Sequence, residues 1–259
     1  MTGIEAFLHE LCDAAEAETM PRFRVRLDIE DKGREAGDFD PVTQADRAAE
    51  TAIRELIEAR YPEHGVIGEE HAPIRPQARH VWIIDPIDGT RAFICGLPSW
   101  GTLIGLQEDG RPIAGVMAQP FTGERYVAHQ GAAFMVHHGR RTSLATRRTA
   151  RLEEAMMMTT SPNIFPREDV DAYRRVEAAC RLTRYGFDCY AYAMLAAGNI
   201  DLVVESSLKA YDIAPLIPII EGAGGVVTTW EGESAENGGR ILASANAELH
   251  KQALELLAG

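Results

Sequence analysis

Zinc-type spacing is missing from this chain: its four cysteines, Cys12, Cys95, Cys180 and Cys189, form no C-x-x-C pair. Reduced thiols in a cytoplasmic setting are therefore expected. No apolar stretch approaches the roughly eighteen uninterrupted residues of a membrane-spanning helix. The opening residues carry Glu5 and Glu10 with no basic segment ahead of an apolar run, so no signal peptide is expected. Positive charge is scarce. Lys and Arg number 26 against 39 Asp and Glu, leaving a formal net charge of -13. Nucleic acid and anionic membranes need clustered cations, and both are disfavoured as partners. Internal repeats and low-complexity tracts are absent. The eight histidines form no H-x-x-x-H pair, and neither a G-x-S-x-G elbow nor a P-loop occurs.

The 259 residues, 46% hydrophobic and 25% charged, suit one large globular domain or two modest ones. Ile4, Phe7, Leu8 and Leu11 repeat at helical spacing. Residues 23–29 alternate as a strand would, 30–41 read as a loop, and 43–61 read as a long helix with Ala49, Ile53 and Ile57 on its apolar stripe. Short strands are expected at 66–67, 80–84, 103–106, 113–118 and 125–129, the second ending abruptly at Asp85. Residues 139–148 are basic and irregular, a joint between two halves. Beyond it come strands at 156–160, 200–205 and 226–230. Helices are expected at 170–179, 189–197, 213–222 (kinked at Pro218) and 247–257. Alternation of this kind argues for layered sheets and helices.

Acidic residues stand where apolar elements end in three distant segments: Gly68-Glu69-Glu70, Asp85-Pro86-Ile87-Asp88-Gly89-Thr90, and Tyr211-Asp212. Carboxylates at a buried edge are costly unless paired, and a cluster of them repels itself. A divalent cation resolves both problems, and Mg²⁺ prefers hard oxygen ligands together with substrate phosphate. Asp85 and Asp88, three apart, can be aimed at one site by a single turn. The Ile87 carbonyl offers a further oxygen, Gly89 permits close approach of backbone to phosphate, and Thr90 brings a hydroxyl and a backbone N–H. The same hexapeptide also suits a plain strand end with a turn and helix cap.

These residues resemble the inositol monophosphatase superfamily over nearly the whole chain. Gly68-Glu69-Glu70 is similar to its first metal motif, residues 82–90 to its W-I-I-D-P-I-D-G-T signature, and residues 40–46 to its D-x-V-T-x-x-D segment. Tyr211-Asp212 stands where that family has Trp-Asp. Residues 182–193 and 204–212 resemble the histidinol-phosphate phosphatase branch of bacteria and plants, with Ala210 in place of the usual Pro and Phe187 in place of Gly or Cys. The resemblance implies a layered αβαβα sandwich, α+β over residues 1–141 and α/β over 142–259, with the site between the halves. It also implies a homodimer.

For the site, the resemblance implies one Mg²⁺ on Glu69, Asp85 and the Ile87 carbonyl, a second on Asp85, Asp88 and Asp212, and a third, weaker ion near Glu69. Thr90, held by Asp46, would orient or deprotonate water together with Glu69, although Asp46 also suits a helix start. Gly89 and Thr90 would hold phosphate. Glu205 and Asp188 would meet the alcohol half of the substrate, Asp188 being equally suited to cap a helix. Arg184 would meet phosphate or pair with an acid. Phe187 would narrow the pocket, and Lys32, beside Asp31, matches the family's first loop only loosely. Glu70 reads as a solvated neighbour and His71 as incidental. The activity implied is Mg²⁺-dependent hydrolysis of a small phosphate monoester. L-histidinol phosphate, a substrate of histidine biosynthesis, comes first, and inositol-1-phosphate or a small sugar phosphate is the alternative. A non-catalytic phosphometabolite binder is disfavoured by the intact Glu69, Asp85, Asp88, Thr90 and Asp212.

Overall fold

The computed structural model describes residues 3–26, 29–31 and 41–259. Lys32 and residue 40 lie outside the described residues, as does the rest of 32–40 in the loop expected at 30–41; the ends of that loop, 30–31 and 41, are in strands instead. Helix α1 (Gly3–Thr19) is followed by a short hairpin, β1 (Ile29–Asp31) against β2 (Pro41–Thr43), and by α2 (Gln44–Arg60). The strand expected from residue 23 does not form there, because Phe23–Val25 turn. Phe23 instead packs its ring on Phe93 and Trp100.

A seven-stranded sheet comes next: β3 (Gly65–Gly68), β4 (His80–Asp88), β5 (Gly101–Glu108), β6 (Arg111–Gln119), β7 (Glu124–His129), β8 (Ala132–His137) and β9 (Arg140–Ser143). Only β3 and β4 pair in parallel. The rest follow as antiparallel neighbours in chain order. Two expectations are corrected here. β4 does not stop at Asp85 but runs on to Asp88 through a break in register between those residues. Residues 140–143 of the expected joint are not irregular but form β9, whose backbone pairs with β8. Helix α3 (Thr90–Ile94) starts directly after β4.

The second sheet is mixed, in order β11-β10-β12-β14-β13, from β10 (Met156–Thr159), β11 (Leu182–Tyr185), β12 (Leu202–Leu208), β13 (Val226–Thr229) and β14 (Gly239–Ser244). Helices α4 (Val170–Ala179), α5 (Asp188–Ala196), α6 (Ala210–Ile213), α7 (Ile217–Gly222) and α8 (Ala247–Ala258) alternate with them. The single kinked helix expected at 213–222 is two helices. The chain breaks at 214–216, where Pro215 has no N–H to donate, while Pro218 sits harmlessly in the first turn of α7.

Strand alternation decides the layering. Trp82, Ile84 and Ile104 point to one face of the first sheet, where Phe7, Leu8 and Leu11 of α1 and Ile53 and Ile57 of α2 cover them. Leu103 and Met117 point to the other face and meet α5 and α7, which also cover Val203, Val227 and Ala243 of the second sheet. The far side of that sheet, Leu202, Val204 and Leu242, packs on Tyr173 and Val176 of α4 and Leu249 and Leu257 of α8. The order is αβαβα, two sheets with helices outside and between. Among the described residues no helix is long and apolar enough to cross a membrane.

Candidate metal centre and substrate cleft

The parallel pairing of β3 and β4 places Gly68 opposite Ile84. The two residues that follow, Glu69 just past the end of β3 and Asp85 still within β4, therefore lie side by side, tied by the Glu69 N–H to the Ile84 carbonyl at 3.3 Å. Asp88 follows on β4 and Asp212 arrives on α6, which packs on β4. Asp85, Asp88 and Asp212 each present a carboxylate oxygen within 4.8 Å of the others. Each also accepts one backbone N–H: from Ile87 to Asp85 Oδ1 at 3.1 Å, from Cys189 to Asp88 Oδ2 at 2.6 Å, and from Lys209 to Asp212 Oδ2 at 2.7 Å. One oxygen of each is thus engaged and the orientation of the other is set.

Burial, then the charges of Glu69, Asp88, Asp212 and Asp46, pushes the Asp85 carboxyl well above the usual carboxylate range. Asp88 rises likewise through burial, Asp188 and Asp212. Three acids this close, Asp85 buried and Asp88 and Asp212 half-buried, repel one another, and protonation or a shared cation relieves that repulsion.

Thr90 begins α3, after Gly89 in the left-handed conformation (φ 82°). Its hydroxyl donates toward the Ile87 carbonyl at 3.1 Å and lies 3.5 Å from Asp46 Oδ1. Asp46 stands at the start of α2 and also faces Thr90. Its Oδ2 accepts the Thr43 N–H at 2.9 Å and the Thr43 hydroxyl at 2.6 Å, capping α2, while its other oxygen faces Thr90. Burial raises its carboxyl to about 6.

A cleft of about 460 Å³ joins these groups to the second sheet. Besides Glu69, Asp85, Ile87, Asp88, Gly89, Thr90 and Asp212 it is lined by Asp188 and Glu205, and by Arg91, Thr160, Asn163, Ile164 and residues 206–208. Glu205 is buried (1% exposed). Its Oε1 accepts the Thr160 N–H at 2.6 Å, while Oε2 has no hydrogen-bond partner among the described residues. Burial pushes its carboxyl up to about 8, the Asp188 charge adding to the effect. Asp188 does not cap α5 with its side chain. It is the first residue of that helix, in the left-handed region (φ 43°) that a non-glycine residue occupies only under strain, and its carboxylate lies against Gly89. Burial raises it to about 6, and the Arg91 charge and the Thr160 hydroxyl work against that rise.

The model of the inositol monophosphatase family matches residues 1–258. The chain belongs to the inositol monophosphatase family. It is similar to the chloroplastic bifunctional phosphatase IMPL2 of Arabidopsis thaliana, 41% identical over 95% of this chain and 72% of that protein. It is also similar to the histidinol-phosphatase of Streptomyces coelicolor, 34% identical over 96% of this chain and 94% of the other. A solved inositol monophosphatase from Zymomonas mobilis superposes over 100% of both chains with a TM-score of 0.87 at 40% identity. This chain is therefore a phosphatase of that family, whose substrates are small phosphate esters and whose members depend on Mg²⁺ in general.

The donors in this family member fit that ion: among the described residues the group that gathers at the centre is three carboxylates, the hard-oxygen set that Mg²⁺ prefers. Two sequence expectations do not reach the cleft. Arg184 is exposed on β11, the edge strand of the second sheet, and is not among the cleft-lining residues. Phe187 packs into the core between the sheets and does not narrow the cleft. Glu70 and His71 are not among the cleft-lining residues. The Glu70 N–H is bound by Glu50 Oε2 at 2.7 Å, and the His71 ring lies 3.1 Å from the Thr51 hydroxyl. Thr160, Arg91, Asn163 and Ser207 were missed. Thr160 carried a usable signal, a polar residue directly after an apolar strand, as Glu69 is; the others carry none that survives without the fold.

Proposed function

We propose that this chain is a Mg²⁺-dependent phosphomonoesterase that converts L-histidinol phosphate to L-histidinol and phosphate in histidine biosynthesis. One observation carries the reading. A single cleft is lined both by a cation-competent carboxylate cluster and by the buried Glu205, one of whose oxygens has no partner among the described residues. The cluster suits a phosphate and Glu205 an ammonium.

In this reading Glu69, Asp85 and the Ile87 carbonyl hold one Mg²⁺, and Asp85, Asp88 and Asp212 a second, with room for a third near Glu69. Bound there, the ions supply Lewis-acid activation of water and neutralise charge on the phosphoryl group. Gly89 and Thr90 offer backbone N–H groups to the phosphate. Glu69 and the Thr90 hydroxyl orient the attacking water, and Thr90 accepts its proton only by passing its own to Asp46, whose raised affinity for a proton suits that role. Glu205 and Asp188 receive the substrate ammonium. A neutral Glu205 in the empty cleft becomes a carboxylate when a cation arrives, so binding releases a proton. The same reading carries a cytoplasmic homodimer.

Inositol-1-phosphate is the competing substrate, since a hydroxyl can also donate to Glu205 and a 40% identical structure is an inositol monophosphatase. Phosphate release from histidinol, inositol and sugar phosphates, with and without Mg²⁺, separates the readings. Histidinol phosphate is expected to give the highest kcat/KM and to need the metal. Turnover of inositol-1-phosphate at an equal or higher kcat/KM would remove the histidinol assignment. Absence of metal-dependent release from every ester would remove the phosphomonoesterase.

A further inference from the structure

The underside of the Glu69 segment is held by residues that neither the motifs nor the cleft includes. Glu50, on α2, is fully buried (0% exposed) and pairs with Arg54, whose Nε donates to Glu50 Oε1 at 2.6 Å. Both then reach the same stretch of backbone. Glu50 accepts the Glu70 N–H at 2.7 Å and the His71 N–H at 3.3 Å. Arg54 donates to the Ala72 carbonyl at 3.1 Å and the His71 carbonyl at 3.1 Å. On the outer side, the His71 ring meets the Thr51 hydroxyl at 3.1 Å and the Arg47 carbonyl at 3.3 Å. Gly68 has no space for a Cβ, which would overlap the Glu50 carboxylate.

A buried ion pair is a poor way to gain stability, since desolvating two charges offsets most of their attraction. Here the pair answers a different demand. Residues 69–71 follow a strand without continuing it, and the Glu70 and His71 N–H and the His71 and Ala72 carbonyls lie beyond the strand's ladder, where unpaired backbone groups are costly. One carboxylate and one guanidinium satisfy two N–H and two C=O groups. Residues 70–72 are thereby laid along α2, while Glu69, immediately before them, faces the cleft. One turn earlier the same helix carries Asp46, whose Oδ1 faces the Thr90 hydroxyl.

We propose that Glu50 and Arg54 are positioning residues, a buried clamp on α2 that fixes Glu69 relative to Thr90, which Asp46 holds from the same helix. The inference rests on the assignment of Glu69 as a Mg²⁺ ligand and adds what holds that ligand in place. Substitution of Glu50 by Gln keeps the volume but sets an amide N–H₂ where donors converge.

The test is Mg²⁺ binding to metal-free protein by calorimetry, with Mn²⁺ binding read by electron paramagnetic resonance as a second probe, for Glu50→Gln, Arg54→Lys, Glu69→Gln and the Glu50→Gln/Glu69→Gln pair. Glu50→Gln and Arg54→Lys are each expected to weaken Mg²⁺ roughly tenfold, the size usual for a partner that orients a ligand. The loss from Glu50→Gln should vanish once Glu69 is already Gln, while its effect on the thermal midpoint persists in both backgrounds. Unchanged affinity in Glu50→Gln and Arg54→Lys would overturn the proposal, as would an equal further loss in the Glu69→Gln background. If Glu50→Gln does not fold, Arg54→Lys alone and in the Glu69→Gln background decides by the same two criteria. Glu69→Gln with parental affinity is a separate result, which removes the ligand assignment itself.

Discussion

At the residue scale, the proposed choice of substrate rests on Glu205. Its Oε1 accepts the Thr160 N–H, and its Oε2, buried without a partner among the described residues, is the acceptor still to be satisfied. A hydrogen bond to a charged partner is worth about 1.5–3 kcal/mol. Glu205→Gln should therefore lower kcat/KM for histidinol phosphate roughly ten- to a hundredfold, since an amide of the same size cannot offer a charge to an ammonium. An uncharged polyol phosphate should lose far less. Steady-state kinetics on both esters at saturating Mg²⁺ checks this, and equal losses would mean that Glu205 reads shape and not charge. The acidic type and the spacing of this residue from Asp212 were legible in the sequence. Its orphaned oxygen was not, because that depends on where Thr160 ends β10.

At the scale of elements, the position of Asp212 depends on a glycine pair. Gly105 of β5 stands opposite Gly115 of β6, and Pro215 rests on both: a Cβ on Gly115 would overlap the Pro215 carbonyl, and one on Gly105 would lie 3.0 Å from Pro215 Cα. The break between α6 and α7 is seated on that bare patch of sheet, three residues after Asp212. Gly115→Ala should cost about 1–3 kcal/mol through overpacking and weaken Mg²⁺ as well, because relief of the clash moves α6. Denaturant unfolding and a Mg²⁺ titration read the two effects, and a fall in stability with no change in metal affinity would detach α6 from the seat. Periodicity was enough to read α2 and α4, whose apolar stripes are long. It failed where pairing across a sheet decides. β4 continues through Asp85 to Asp88 because β5 offers Leu103 and Gly101 as partners, and β8 and β14 lack a local signal strong enough to separate them from loops. Glu50 fell outside the motif reading because its partners lie 20 and 21 residues away.

At the scale of the whole molecule, an excess of acid gathered partly in one cleft makes stability depend on pH in a direction that can be worked out. The Glu205 carboxyl is raised from 4.5 to about 8, so between those values the folded chain holds a proton that the unfolded chain has released. Stability from this group is full below about 4.5 and is lost as pH rises through about 8. Asp85 and Asp88, also raised, act in the same direction. His250 opposes them only lower down: burial depresses it from 6.5 to about 4, so its contribution grows with pH and is complete by about 6.5. His9 and His64 are depressed from the same starting value and have the same upper limit. The interval from about pH 6.5 to 8 therefore isolates the carboxylates. In chelator, the thermal midpoint should fall by several degrees across that interval. Glu205→Gln should remove part of the slope, and Mg²⁺ should remove much of the rest, because the cation favours the ionised forms and its binding releases protons. Calorimetric scans of parent and variant at pH 6.5, 7.25 and 8, with and without Mg²⁺, supply the comparison. A midpoint that rises with pH in chelator would mean that these acids are already ionised in the folded chain, and that the cluster is neutralised by something other than protons or a divalent cation.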